Sequence, residues 1–352
     1  MPEIVLLTGC TGYIGAWICK TLVERGHTVR ATVRKIKEKE RFEYLHETCG
    51  DVDHTKIQFV EVDLESPVEK WVEALTGCTA CIHTAGPVKF VSNNPQKEIL
   101  DPILEGIDHI FNACHQVGIK KVVFTSSITA ISDRFKEYKT HVYSGKDWNE
   151  DATLETRPYP YSKMMGEKAA HQFVQEHKSF SLACVLPNAV MGPMLPLTKP
   201  KALPETMEYM IARVLRGEMY LVNYDLGISD VRDVASIHVL AMEHLPDEPT
   251  TEVKRYLNPA GVTPFREILK SIREAAPEKK NNIPKVPIPN FLVLVWAKIA
   301  FAPGLYNYVS GNIGRKPKFD VSNVENELGI KTRPVSETIK DSVTWVKKVE
   351  KL

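Results

Sequence analysis

Between Ile4 and Pro187, short unbroken apolar runs alternate with stretches in which apolar residues recur every third or fourth position. The runs predict buried strands over residues 4–7, 28–34, 57–64, 79–86 (with its exit turn), 121–127 and 181–187. The periodic stretches predict helices over 16–26, 68–75, 103–117 and 161–177. Strict alternation of strand and helix is the pattern of a parallel sheet covered on both faces. The fold class predicted is therefore α/β, a Rossmann-type doubly wound parallel sheet. After Gly192 the pattern changes. Pro193, Pro196, Pro200 and Pro204 mark a loop that cannot be regular helix or central strand. Helices are predicted beyond it over 205–215, 231–244, 265–275 and 335–349. Residues 1–192 are thus expected to form the larger domain. Residues 193–352 are expected to form mainly a smaller C-terminal lobe, with some segments returning to the sheet.

Composition narrows the classes. The chain has 352 residues, with 45 basic against 44 acidic side chains, so no global field favours nucleic acid or a charged membrane. Seven scattered cysteines predict reduced thiols and a cytoplasmic protein. Cys78-x-x-Cys81 is the only close pair; it has no second pair nearby, and no metal site is expected. No signal peptide is read at the start. The apolar stretch 291–301 is too short for a bilayer span and contains Lys298. It is expected to be a buried helix or a substrate-pocket wall, with a peripheral membrane contact as the alternative. No stable membrane insertion is expected.

The strand 4–7 breaks into Gly9, Gly12 and Gly15 before the first helix. A strand turning through glycines into a helix offers backbone N–H groups and a helix N-terminus to a phosphate. Gly9 permits the tight turn, Gly12 the approach of a pyrophosphate, and Gly15 close helix–strand packing. The spacing is looser than the usual Gly-x-Gly-x-x-Gly. Gly9, Thr11, Gly12, Tyr13, Ile14 and Gly15 are the candidate cofactor turn, and a purely structural turn is the alternative.

At the end of the second strand, an acidic residue would pair with a free ribose 2′-hydroxyl, whereas arginine accommodates a 2′-phosphate. Here stand Arg34 and Lys35, with Arg41 beyond and no acid from 28 to 37. NADP(H) is therefore expected over NAD(H), against the alternative of a solvated basic patch. Asp63 and Leu64 are placed beside the adenine, with Asp63 either accepting from its amino group or capping the next helix. Thr84 and Ala85 supply small side chains where the chain must pass the cofactor; His83 is read as a packed strand residue.

Tyr159 and Lys163 stand at helical spacing, on one face if residue 159 lies at a helix start. An ammonium beside a phenol stabilises phenolate, making the tyrosine a usable acid for a carbonyl oxygen. Tyr161 lacks a lysine four residues on. Ser126 and Ser127 close the fifth strand, where a hydroxyl can hold a substrate carbonyl or merely cap a turn. No Gly-x-Ser-x-Gly elbow or His-Glu-x-x-His zinc motif is present.

Together these residues resemble the extended short-chain dehydrogenase/reductases, of the NAD-dependent epimerase/dehydratase type. The match runs through Thr8–Gly15, residues 29–34, 62–64, 124–127 and 159–163, and on to residues 186–193. The strand Val-Arg-Ala-Thr-Val-Arg points to the dihydroflavonol-4-reductase-like branch, which includes cinnamoyl-CoA reductases. The resemblance implies that Tyr159 gives the proton, Ser127 orients the carbonyl, and Lys163 holds the nicotinamide ribose. It also places Pro187 and Val190 at the nicotinamide. Ser132 stands where dihydroflavonol reductases carry a substrate-binding Asn, and the cinnamoyl-CoA reductase signature Asn-Trp-Tyr-Cys-Tyr-x-x-x-Lys is absent. The expected function is NADPH-dependent reduction of a small aldehyde or ketone, reversible as an alcohol dehydrogenase, by a monomer or homodimer. A 3β-hydroxysteroid dehydrogenase-like or nucleotide-sugar-modifying enzyme is the second enzyme reading. A non-catalytic NADP(H) sensor is the reading from another class.

Overall fold

The computed structural model describes residues 2–89, 92–135, 137, 139–195, 203–259, 261–300 and 305–351. Pro196, Pro200 and Phe301 lie outside them. In chain order the strands are Ile4–Thr8 (β1), Thr28–Val33 (β2), Ile57–Glu61 (β3), Ala80–His83 (β4), Lys121–Thr125 (β5) and Val142–Tyr143 (β6). Then come Ser181–Pro187 (β7), Ala189–Met191 (β8), Asp225–Asp230 (β9), Lys254–Asn258 (β10), Gly261–Pro264 (β11) and Lys318–Phe319 (β12). Among the described residues seven strands form one parallel sheet in the order β10-β7-β5-β4-β1-β2-β3. β1 lies between β2 and β4, with Thr8 opposite His83. The chain thus reverses direction across the sheet at β1, which opens a crevice at the carboxyl ends of the strands.

Apolar runs made this sheet because both faces are covered. One face packs helices Val68–Leu75, Asp101–Val117 and Pro158–His177, around Trp71, Phe111, Phe173 and Phe180. Phe111 meets Phe180 edge-on at 5.2 Å. The other face packs Tyr13–Glu24 and Val231–His244 around Ile18, Leu22 and Ile237. A third core joins the β11-β9-β8 sheet to helices Phe265–Ala275 and Val335–Glu350.

Several expectations shift. β3 stops at Glu61, and the chain then turns, with the Ser66 N–H donating to the Asp63 carbonyl at 2.9 Å. The helix expected from Tyr161 starts at Pro158, since proline is tolerated in a first turn. The helix expected over 205–215 is interrupted by a wider turn at Glu208–Ala212. β10 joins the main sheet beside β7 despite its charged start. The apolar segment does form a helix, Asn290–Ile299, but Ala297 is its one buried residue. Phe291 is 64% exposed and Trp296 56%, so the buried-helix reading is wrong. Apolar periodicity states which residues share a face, not whether anything covers it.

Candidate active site

The glycine turn is built as closely as its sequence demands. Gly9 sits at φ +73°, and Gly12 donates to its carbonyl at 2.9 Å. A Cβ on Gly15 would lie 2.1 Å from the Gly9 oxygen, and one on Gly9 3.1 Å from the Ala85 nitrogen. Only glycine fits at 15, and only glycine adopts the Gly9 backbone without strain. Thr84 and Ala85 close the neighbouring turn by donating their N–H groups to Thr8 Oγ1, each at 3.0 Å. The helix beginning at Tyr13 carries no acid in its first turn and no side-chain cap, so its N-terminal amides face the turn unneutralised. This cradle fits a pyrophosphate. The Tyr13 side chain points elsewhere, donating from Oη to the Gly192 carbonyl at 2.6 Å. Ile14 packs with Val190 and Val231.

Beyond β2, Arg34 is exposed and makes no ion pair among the described residues. Arg41 is engaged with Glu38 at 2.7 Å, and Lys35 with the same carboxylate at 3.6 Å. Arg34, not Arg41, is the uncommitted guanidinium at the place where a ribose phosphate is read. Asp63 does not cap the next helix, which begins behind Pro67 without a side-chain cap. Leu64 packs partly buried against the core near Gly106.

Ser127, Tyr159 and Lys163 come together, all buried. The Ser127 and Tyr159 hydroxyls are hydrogen-bonded to each other. Lys163, one turn along the same helix, donates from Nζ to the Thr125 carbonyl at 3.1 Å. Burial pushes the Tyr159 phenol up to about 12, while its bond to Ser127 works against that shift. In this structure the ammonium is turned to Thr125, and burial and Ser127, not Lys163, dominate at the phenol. Burial also pulls Lys163 down to about 8, with Glu167 opposing it. The two serines divide their roles. Ser126 donates to Glu167 Oε2 at 2.5 Å, leaving Ser127 to meet Tyr159 and Thr129.

Sequence reading missed the supports of this cluster. Glu167 is fully buried on the Tyr159–Lys163 helix face and pairs with Arg255 at 2.7 Å. Arg255 stacks over Trp148 at 4.0 Å. Glu167, His171 and Cys184 bring ligand atoms within 4.8 Å of one another. The guanidinium already on Glu167 makes this a compensated carboxylate rather than a metal site. Asp133 pairs with Arg157, the residue preceding the Tyr159 helix. Asn149 donates to Asp133 at 2.8 Å and to the Thr129 carbonyl at 2.8 Å. His83 is bonded to Thr8, and burial keeps it neutral with a pKa of about 3. Pro187 ends β7, and Val190 lies buried in β8. A cleft of about 620 Å³ lies between Thr140, Asn290, Leu294, Ser310 and Arg315, and none of Ser127, Tyr159 and Lys163 lines it.

Comparisons with known proteins agree with this architecture. Residues 5–253 match the NAD dependent epimerase/dehydratase family. Tetraketide alpha-pyrone reductase 2 of Arabidopsis thaliana is 32% identical over 81% of this chain and 84% of its own. A cinnamoyl-CoA reductase of Medicago truncatula is 29% identical, covering 79% of this chain and 82% of its own. The fold is similar to that of yeast methylglyoxal/isovaleraldehyde reductase Gre2 complexed with NADPH. That match has a TM-score of 0.80 and 24% identity over 99% of both chains. The chain belongs to the NAD dependent epimerase/dehydratase family and is an oxidoreductase of the extended short-chain dehydrogenase/reductase type.

Proposed function

We propose that this protein is an NADPH-dependent reductase of a small aldehyde or ketone, running in reverse as an alcohol dehydrogenase. The observation that carries the reading is the hydrogen-bonded Ser127–Tyr159 pair above Lys163, set at the strand ends beside the glycine cradle. The names of relatives such as the cinnamoyl-CoA, tetraketide alpha-pyrone and dihydroflavonol reductases support a carbonyl substrate. Gly9, Gly12 and Gly15 would hold the pyrophosphate, and unpaired Arg34 the 2′-phosphate, which favours NADPH over NADH. Asp63 would accept from the adenine amino group, and Pro187 and Val190 would border the nicotinamide. When bound, the cofactor supplies the hydride.

The chain's own residues handle the oxygen. Tyr159 is protonated at neutral pH, so it has a proton to give. Charge developing on the substrate oxygen is alkoxide-like and more basic than phenolate, so proton transfer from Tyr159 runs downhill. Ser127 donates a second hydrogen bond to that oxygen and fixes it against the phenol. Lys163, turned from Thr125 to the ribose hydroxyls, would bring its ammonium beside Tyr159 and stabilise the phenolate left behind.

Tyr159→Phe keeps the ring and removes the proton. Carbonyl-dependent NADPH oxidation should fall by about 10²–10⁴-fold with cofactor affinity nearly unchanged; full turnover in this variant would end the mechanism. Arg34→Ala should raise the KM for NADPH by about tenfold or more and leave that for NADH almost unmoved. Equal losses with both cofactors would take the 2′-phosphate away from Arg34.

A further inference from the structure

The exposed helix Asn290–Ile299 stands in an unusual charge environment. Residues 279–319 contain seven lysines and arginines and no aspartate or glutamate, whereas the rest of the chain holds 38 basic and 44 acidic residues. Within that stretch Phe291, Leu292, Val295, Trp296 and Ile299 recur at the spacing of one helix face. Each is about half or more exposed, as is Val286 just before the helix at 80%. Lys298 is exposed on the same helix, and Lys280, Lys285, Lys316 and Lys318 are exposed on the segments flanking it. No helix among the described residues is long and apolar enough to cross a membrane.

An aliphatic and aromatic face that carries Lys298 on its helix and is flanked along the chain by Lys280, Lys285, Lys316 and Lys318 has the chemistry of a helix lying in the interface of an anionic bilayer. Apolar side chains enter the acyl boundary, tryptophan sits at headgroup level, and lysines reach lipid phosphates from the rim. A second copy of the chain fits this face poorly. A two-fold contact sets the same patch against itself, and a segment without one acid would oppose cation to cation. We infer that the helix Asn290–Ile299, with its basic flanks, is a docking surface for anionic membranes. The enzyme would work there as a peripheral protein, taking carbonyl substrates that partition into lipid.

Flotation of the full chain with vesicles tests this. The protein should float with phosphatidylcholine–phosphatidylserine vesicles and not with phosphatidylcholine alone, and high salt should release it. Phe291→Ser/Trp296→Ser and Lys285→Glu/Lys298→Glu should each lower the bound fraction by about tenfold or more. Because all four side chains are exposed, NADPH-dependent activity in solution should stay at the wild-type level. Trp296 emission, taken as the difference from Trp296→Phe, should shift to the blue on adding anionic vesicles. Absence of flotation, or flotation unchanged in both double variants, overturns the inference. So does a dimer in sedimentation velocity that dissociates in Phe291→Ser/Trp296→Ser, which would make this face a contact between copies.

Discussion

Glu167 shows how a single carboxylate is made tolerable at the heart of a reductase. Burial alone would push its pKa up. His171, Arg255 and Ser126 reverse that, and the group is held below the usual carboxylate range. Its negative charge in turn supports the ammonium of Lys163, which burial depresses to about 8. Lys163 loses its charge as pH rises through that value, so kcat/KM should fall on an alkaline limb near pH 8. Glu167→Gln removes the opposing charge and should move that limb to lower pH, most clearly when kcat/KM is followed against pH. A limb that stays in place would show that Glu167 only packs. Tyr159 and Lys163 were legible because four-residue spacing on a helix is a local signal. Glu167 lies on the same face one turn further on, but in Gly166-Glu167-Lys168 it looks like a solvated charge. Its burial depends on Arg255, 88 residues away, and no local pattern encodes that partner.

At the scale of elements, the site depends on how the turn after β5 is tied to the helix that carries Tyr159. Asn149 bonds the carbonyls of Thr129 and Ala130, just past Ser127, and reaches Asp133. Asp133 pairs with Arg157, two residues before Tyr159. A continuous polar path therefore fixes the serine turn against the helix start. Burial still pushes the Asp133 carboxyl up despite Arg157 beside it. Removing the guanidinium leaves that acid uncompensated. Arg157→Ala should cost about 3–5 kcal/mol in chemical denaturation. It should also lower kcat more than it raises the KM for NADPH, since the glycine cradle is untouched. Equal stability to wild type would show that the pair is dispensable. The alternation of strands and helices up to β7 was readable because both sheet faces are apolar. β10 was not, because Lys254 and Arg255 mask a strand whose arginine is drawn inward by Glu167. The exposed helix 290–299 was misread for the converse reason: an apolar face carries no mark of being left uncovered.

Across the whole molecule, acid sensitivity is set by groups that folding holds in one charge state. His83 and His238 are buried and neutral, with burial lowering them to about 3 and about 4. Each is fixed by a threonine hydroxyl, Thr8 at 2.9 Å and Thr125 at 2.7 Å. In the unfolded chain both take up a proton near pH 6.5. Their contribution to stability is therefore complete above that value and is lost as pH falls from about 6.5 toward 4. Asp51 and Asp230 also titrate below their ordinary value, so their stabilisation is lost only at lower pH. Asp133 and Asp233, pushed up by burial, act in the opposite sense and gain stability as pH falls. Between pH 6 and pH 5 the net slope mixes these signs, so the histidine term is best isolated by difference. His238→Gln accepts from Thr125 but cannot be protonated. The variant should be less stable at every pH, yet lose about 1 kcal/mol less than wild type on going from pH 6 to pH 5. Urea denaturation at the two values measures this directly. Parallel losses in the two proteins would mean that His238 already carries its proton in the folded state, against the burial that lowers it to about 4.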